Sequence, residues 1–238
     1  MGGEVAEPPA GARGGLEKIV SETSKRGGRV IIPAFAVGRT QEIVYILDQL
    51  EKEGKLPRIP VFVDSPMAVS ATEVYRIHSE CYDRELREYL RSDDDPFGFD
   101  KLEYVREAKR SKSLNAMRVP MVIISASGMC EAGRILHHLK NGVSDSRNTV
   151  MMVGYCADHT LGKRLIDGNE TVRIFGDVYD VKADVEVMNS YSAHADEPEM
   201  INFLGHLDRT RLQKLLLVHG APARQEALKS ALESQGYT

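Results

Sequence analysis

Read for hydrophobic and polar periodicity, the chain settles into a rhythm after residue 15. Leu16, Ile19, Val20 and Thr23 recur at helical spacing, and Gly27-Gly28 stop that helix. One unit then appears four times: an apolar run, a turn of small residues and an amphipathic helix. Residues 30–37 form the first run, turned by Gly38 and Arg39. Ile43, Val44, Ile46, Leu47 and Leu50 stripe the helix that follows. Residues 61–63 lead through Asp64-Ser65-Pro66 into a helix ending near His78. Residues 121–124 lead through 125–129 into a helix near 133–140. Residues 150–153 lead through Gly154-Tyr155 into a helix over about 160–166.

Continuous apolar strands alternating with helices predict an α/β fold, a parallel sheet with helices on both faces. The repeat is architectural and not a sequence repeat. Residues 2–15, with five glycines and two prolines, read as a mobile lead-in. Residues 91–118 begin polar and acidic and read as an excursion with a short helix or strand. The texture changes near residue 180. Residues 184–191 alternate as a half-buried strand does. Residues 197–207 read as a helix, 214–218 as a buried strand and 223–232 as a closing helix.

Composition narrows the function classes. Apolar residues make up 42% of the 238, enough for a real core, and charged residues make up 28% with both signs mixed. A net charge of −4 argues against a basic arm, but a catalytic cleft needs only local positive charge. Three cysteines, Cys81, Cys130 and Cys156, without a C-x-x-C pair, predict neither a disulfide framework nor a cysteine zinc site. That usage fits a reducing cytoplasm. No apolar run is long enough to span a bilayer, and residues 1–15 lack the apolar core of a signal peptide. Ala6 stands where a myristoylation motif at Gly2 wants Ser or Thr.

The candidate chemistry falls at the strand–turn–helix junctions, where phosphodiester ligands bind α/β sheets. The turn at Ala36-Val37-Gly38-Arg39 offers backbone N–H groups and a guanidinium, and Ser125 and Ser127 offer hydroxyls beside Gly128, with Arg134 following. Small residues at such turns also arise from geometry alone. Among seven histidines, His78 and His206 sit in helical patterns and read as structural. His137 is expected partly buried and His138 exposed; His159 is left open. His194, in Ser192-Ala193-His194-Ala195-Asp196, and His219, after a run of apolar residues and before Gly220, lie where a site forms. Each could bind metal, move a proton or simply cap a strand end. The set His194, Asp196 and His219 is a poor arrangement for one ion, and neither H-x-H-x-D-H nor H-E-x-x-H occurs.

These residues resemble a known family. Residues 29–42 (Arg29 through Pro33, Gly38, Arg39, Thr40, Gln41 and Glu42) are similar to the β-CASP insert of metallo-β-lactamase-fold RNA-processing nucleases. So are Val63-Asp64-Ser65-Pro66-Met67-Ala68, residues 125–139, and Gly154-Tyr155 with Thr160-Leu161-Gly162. Residues 192–196 look like the family's motif B and Val218-His219-Gly220 like its motif C. The match runs in order from Leu16 to the end and is to archaeal and bacterial relatives of the pre-mRNA 3′-end processing endonuclease.

The resemblance implies a lead-in at 1–15, a β-CASP domain over 16–180, and at 181–238 the returning piece of an αββα domain that holds two zinc ions. It implies His219 as a zinc ligand and His194 as the acid that helps the leaving oxygen depart. The family's H-x-H-x-D-H motif, its next histidine, its bridging aspartate and its motif A have no counterpart here, and Ala221 replaces the acid that usually follows motif C. The expectation is therefore part of a zinc-dependent nuclease acting on RNA, inactive alone. It would work with a chain carrying the missing half, and a homodimer is possible. The alternatives are a non-catalytic RNA-binding or dimerisation module and a truncated gene product.

Overall fold

A computed structural model of the protein describes residues 9–188, 195, 197–208, 210–218, 220 and 222–237. The first helix, α1 (Pro9–Lys25), ends where expected. Gly27 adopts φ +76°, and the Gly28 N–H donates back to the Thr23 carbonyl at 2.9 Å. Its start lies seven residues earlier than the periodicity predicts. Residues assigned to the lead-in are helical here, and Arg13 on the added turns is ion-paired with Glu53.

The four predicted units form as strand–helix pairs. They are β1 (Arg29–Pro33) with α2 (Arg39–Lys52), β2 (Val61–Val63) with α3 (Pro66–Ile77), β4 (Met121–Ser125) with α6 (Ile135–Gly142), and β5 (Thr149–Met152) with α7 (Leu161–Ile166). The 91–118 excursion supplies β3 (Leu102–Tyr104) and α5 (Ala108–Ala116), after the short α4 (Arg84–Tyr89). With β8 (Asp184–Val187), the strands make a six-stranded sheet in the order β3-β2-β4-β1-β5-β8, parallel throughout. In the central pairs Val30 lies opposite Val122 and Ile31 opposite Ile123.

Alternation along these strands divides the core between the two faces. Val30, Ile32, Val61, Val63, Val122 and Ile124 pack with Leu16, Val20, Ile43, Val44 and Leu47 under α1 and α2. Ile31, Val150 and Met152 pack with Ile135, Leu139, Leu161 and Leu165 under α6 and α7, while Phe62, Met121 and Ile123 meet Leu114 of α5. Each such fully buried aliphatic side chain stabilises the fold by roughly 1.5–3 kcal/mol, before chain entropy is set against it. The central strands therefore read as continuous apolar runs, as a sheet covered on both sides demands.

Three features depart from the sequence reading. An antiparallel hairpin of β6 (Thr171–Ile174) and β7 (Asp177–Asp180) precedes β8. Val172 and Ile174 face inward while Thr171 and Arg173 are exposed, an alternation legible in the sequence. Next, β8 pairs with β5 as an edge of the first sheet, so the change of texture near residue 180 marks an edge strand as much as a boundary. Finally, residues 214–218, expected to be a buried strand, are not in a strand; Leu216 and Val218 are 79% and 74% exposed. No strand among the described residues lies beside them, and an apolar run without a partner has nowhere to bury its side chains. The helices α8 (Glu197–Gly205) and α9 (Pro222–Ser234) form near their expected positions.

Candidate nucleic-acid interface

Parallel strands deliver all their outgoing loops to one end of the sheet. The loops after β1, β2, β4 and β5 therefore gather on one rim. The loop after β1 turns at Gly38, whose φ of +82° suits glycine. The Gln41 side chain accepts from the Gly38 N–H at 2.8 Å, and the Thr40 hydroxyl donates to the Phe35 carbonyl at 2.8 Å, so the entry to α2 is tied from both sides. Arg39 stands at the start of α2 and contacts the Glu42 carboxylate. Burial raises the Glu42 pKa, and the Arg39 charge opposes that shift.

The loop after β4 is the most structured. Ser127 Oγ accepts from the backbone N–H of Glu131 at 3.1 Å and of Ala132 at 3.3 Å, which leaves its own hydrogen free to donate outward. The Phe35 ring lies directly on Gly128, where an added Cβ would come within 3.2 Å of it. Glu131 Oε1 accepts from the Leu161 N–H at 2.6 Å, and the Gly162 N–H donates to the Met129 carbonyl at 3.0 Å, so this loop is stitched to the one after β5. Burial pushes the thiols of Cys130 and Cys156 up, that of Cys156 to about 11, so both stay protonated and act as core groups.

A residue that the sequence reading gave no role is the hub of the rim. Asp64, at the end of β2, is fully buried. Its carboxylate accepts from Ser111 Oγ at 2.5 Å, from His138 Nε2 at 2.7 Å and from the Arg134 guanidinium at 2.7 Å. Burial alone would raise the Asp64 pKa. The hydrogen bonds from His138, Ser111 and Arg134 outweigh it, and the carboxyl is held below its ordinary value. Arg134 also donates to the carbonyls of Val105 and Arg106, at 3.0 and 2.7 Å. Ser125 Oγ donates to the Asp64 carbonyl at 2.8 Å and is itself buried.

Of the phosphate-binding candidates, Ser127 is partly exposed at the rim, while the Arg39 side chain is largely buried beside Glu42. In this arrangement Ser125 and Arg134 brace the rim from beneath. The two adjacent histidines behave opposite to expectation: His138 is 1% exposed while His137 is exposed, because α6 turns His138 toward Asp64. The signal for this network lay in a charged residue at the end of an apolar strand, with Arg134 and His138 four apart on one helix face. His194 and His219 lie outside the described residues. Among the described residues no group of three or more His, Cys, Asp or Glu could hold a metal ion, and no helix is long and apolar enough to cross a membrane.

Comparison with known proteins decides what this rim belongs to. The chain matches the family model of the Beta-Casp domain over residues 40–165 and that of the Zn-dependent metallo-hydrolase RNA specificity domain over residues 178–238. It belongs to the β-CASP family of metallo-β-lactamase-fold RNA nucleases. It is 37% identical over 219 residues to Ribonuclease TTHA0252 of Thermus thermophilus, covering 92% of this chain and 49% of that protein. It is 31% identical over 217 residues to an RNase J-like protein of Methanocaldococcus jannaschii, covering 91% and 48%. Transcription termination factor FttA of Methanosarcina mazei is 29% identical over 211 residues, covering 86% and 33%. The β-CASP chain spans about half the length of the first two relatives and a third of the last. The second matched region starts at residue 178, within β7 and just before β8.

Proposed function

We propose that this chain is the RNA-holding part of a metal-dependent RNA-processing nuclease. The observation that carries the reading is the conjunction of the two family matches with a parallel sheet whose Gly38-Arg39 turn and Ser127 loop leave by the same end. A guanidinium and a hydroxyl hold phosphates without reading bases, which is how a nuclease positions a strand. The Asp64 network supports this by fixing where the loop bearing Ser127 sits. On the same reading His194 donates a proton to the leaving oxygen, and His219 is a zinc ligand. The described residues do not themselves fit a zinc centre, and the chain lacks an H-x-H-x-D-H motif. Cleavage then requires that motif from outside these 238 residues.

The test is an RNA binding and cleavage assay on the 238-residue chain, alone and with a fragment bearing H-x-H-x-D-H. Expected are binding that weakens steeply as salt is raised, because phosphate contacts release counterions, and no cleavage by the chain alone. Adding the fragment should produce cleavage that His194→Ala lowers while zinc remains bound. Arg39→Gln should weaken binding to all RNA sequences alike. Cleavage by the lone chain that His219→Ala abolishes would overturn the reading, as would binding insensitive to salt.

A further inference from the structure

The segment around α5 carries a charge opposite in sign to that of the chain. Residues 106–118 hold five cations, Arg106, Lys109, Arg110, Lys112 and Arg118, and one carboxylate, Glu107, while the whole chain has a net charge of −4. Lys109, Lys112 and Arg118 are exposed and form no hydrogen bond or ion pair among the described residues. Ser111 and Leu114 of the same helix are buried, the first on Asp64 and the second in the core. Because β3 ends at the rim and β4 starts from the far end of the sheet, α5 between them runs from one end to the other. Arg106 marks the rim end: its carbonyl accepts from Arg134, which also binds Asp64. Arg118 marks the far end, where its charge meets that of Arg29 at the start of β1. Burial, and next the Arg118 charge, lower the Arg29 pKa, so positive charge is crowded there.

This charge does not serve the helix. Lys109 and Arg110 stand in the first turn of α5, where the positive end of the helix dipole repels cations, and the last turn, where cations are favoured, has none. No carboxylate stands three or four residues from Lys109 or Lys112, and these two lysines, three apart, repel one another. A row of exposed, unpaired cations that opposes its own helix fits a polyanion from outside. The other exposed positions of α5 are Ala108, Ser113 and Ala116. None is a large apolar side chain that could enter a bilayer, so the polyanion is a nucleic-acid backbone and not a lipid surface. The nine residues of α5 rise about 14 Å, the length of about four nucleotides at a spacing of ~3.4 Å.

We propose that the outer face of α5 is a track for the RNA backbone, along which a single strand leaving the rim passes Lys109 and Lys112 and reaches Arg118. The proposal rests on the RNA-holding reading and gives the held strand a path, on the α5 side of the sheet. The test measures binding of fluorescent dodecauridine to the full chain by anisotropy over a range of salt concentrations. A track variant combines Lys109→Gln, Lys112→Gln and Arg118→Gln. A control variant combines Lys18→Gln, Lys25→Gln and Arg91→Gln, exposed cations of α1 and the end of α4 on the opposite face. Arg39→Gln reports on the rim, and vesicles of phosphatidylcholine with phosphatidylserine report on anionic lipid.

The track variant should bind at least about tenfold more weakly than the wild type at ~0.1 M salt. Its slope of log affinity against log salt should be shallower by about 2, at roughly 0.7 for each lost phosphate contact with a single strand. Its urea midpoint should be unchanged or raised, because the removed charges oppose the helix; a lowered midpoint would show that they serve the fold, and overturns the proposal. An equal loss in the control variant also overturns it, because net charge alone would then account for binding. Unchanged binding in the track variant, with Arg39→Gln still weakening it, overturns the track and leaves the RNA-holding reading standing. Loss in the track variant with Arg39→Gln harmless upholds the track and removes the Gly38-Arg39 turn from that reading instead. Absence of any binding by the wild type overturns both, and tighter capture by the anionic vesicles than by RNA overturns the track in favour of a membrane surface.

Discussion

Replacing Asp64 by Asn tests whether the rim depends on its buried hub. The change is nearly isosteric, so packing is kept and charge is lost. The carboxylate is fully buried and satisfies three side-chain donors, at 2.5, 2.7 and 2.7 Å. An Asn offers one acceptor and one donor in its place. Whichever way it turns, its NH₂ faces a group that now donates. Arg134 keeps its bonds to the Val105 and Arg106 carbonyls but loses its counter-charge.

Hydrogen bonds to a charged group contribute about 1.5–3 kcal/mol each, and removing one partner of a buried ion pair costs about 3–5 kcal/mol. Because these terms overlap and His138 can change tautomer, a loss of ~3 kcal/mol at pH 7 is the expected value. That is a large part of the 5–15 kcal/mol typical of a domain.

The pH dependence gives a second handle with a definite sign. The Asp64 pKa is depressed from its ordinary value of 3.8. Such a group contributes stability that is fully present above the unfolded-state pKa and is lost as pH falls through the folded one. The wild type and Asp64→Asn should therefore differ most at neutral pH and converge below pH ~3.8. Urea unfolding followed by far-ultraviolet circular dichroism at several pH values measures both. A difference below about 1 kcal/mol at pH 7, or one that persists unchanged into acid, would refute the hub.

Asp48 should show the opposite sign. Burial raises its pKa to about 6, while Tyr89 donates to it at 2.6 Å; its charge thus lowers stability as pH rises through the interval 3.8 to 6. Asp48→Asn should raise stability by up to ~2–3 kcal/mol at pH 8 and leave it nearly unchanged at pH 3.5, read from urea midpoints at the two values. Gly28→Ala would place a Cβ 1.7 Å from the Arg147 carbonyl oxygen and should cost well over 2 kcal/mol. Gly54→Ala, with φ +68° but open space around it, should cost only about 1 kcal/mol; equal losses in thermal melts would contradict the close approach. Amide exchange should be slow in β1 and β4 and fast over residues 212–218, where Leu216 and Val218 are exposed; equal protection in both would show burial that this arrangement lacks.

Much of this architecture was legible from the chain alone, because a parallel sheet covered on both faces forces local patterns. Strands such as 30–33 and 121–124 must be apolar at every position, and each must be followed by small turn residues and an amphipathic helix such as that striped by Ile43, Val44 and Leu47. Those constraints act within about twenty residues, so the sequence shows them directly, and with them the Gly38-Arg39 turn and the loop of Ser127. Contacts between distant segments were not legible in that way. Asp64, Ser111, Arg134 and His138 come from three separate strand–helix units, and only the strand order brings them together. Neighbouring histidines on one helix look alike in sequence, yet the fold buries His138 on a carboxylate and leaves His137 in solvent. The run at 214–218 shows the same limit in reverse. Its apolar pattern states that it can be a buried strand, but burial needs a partner surface, and whether one is present is a property of the tertiary structure.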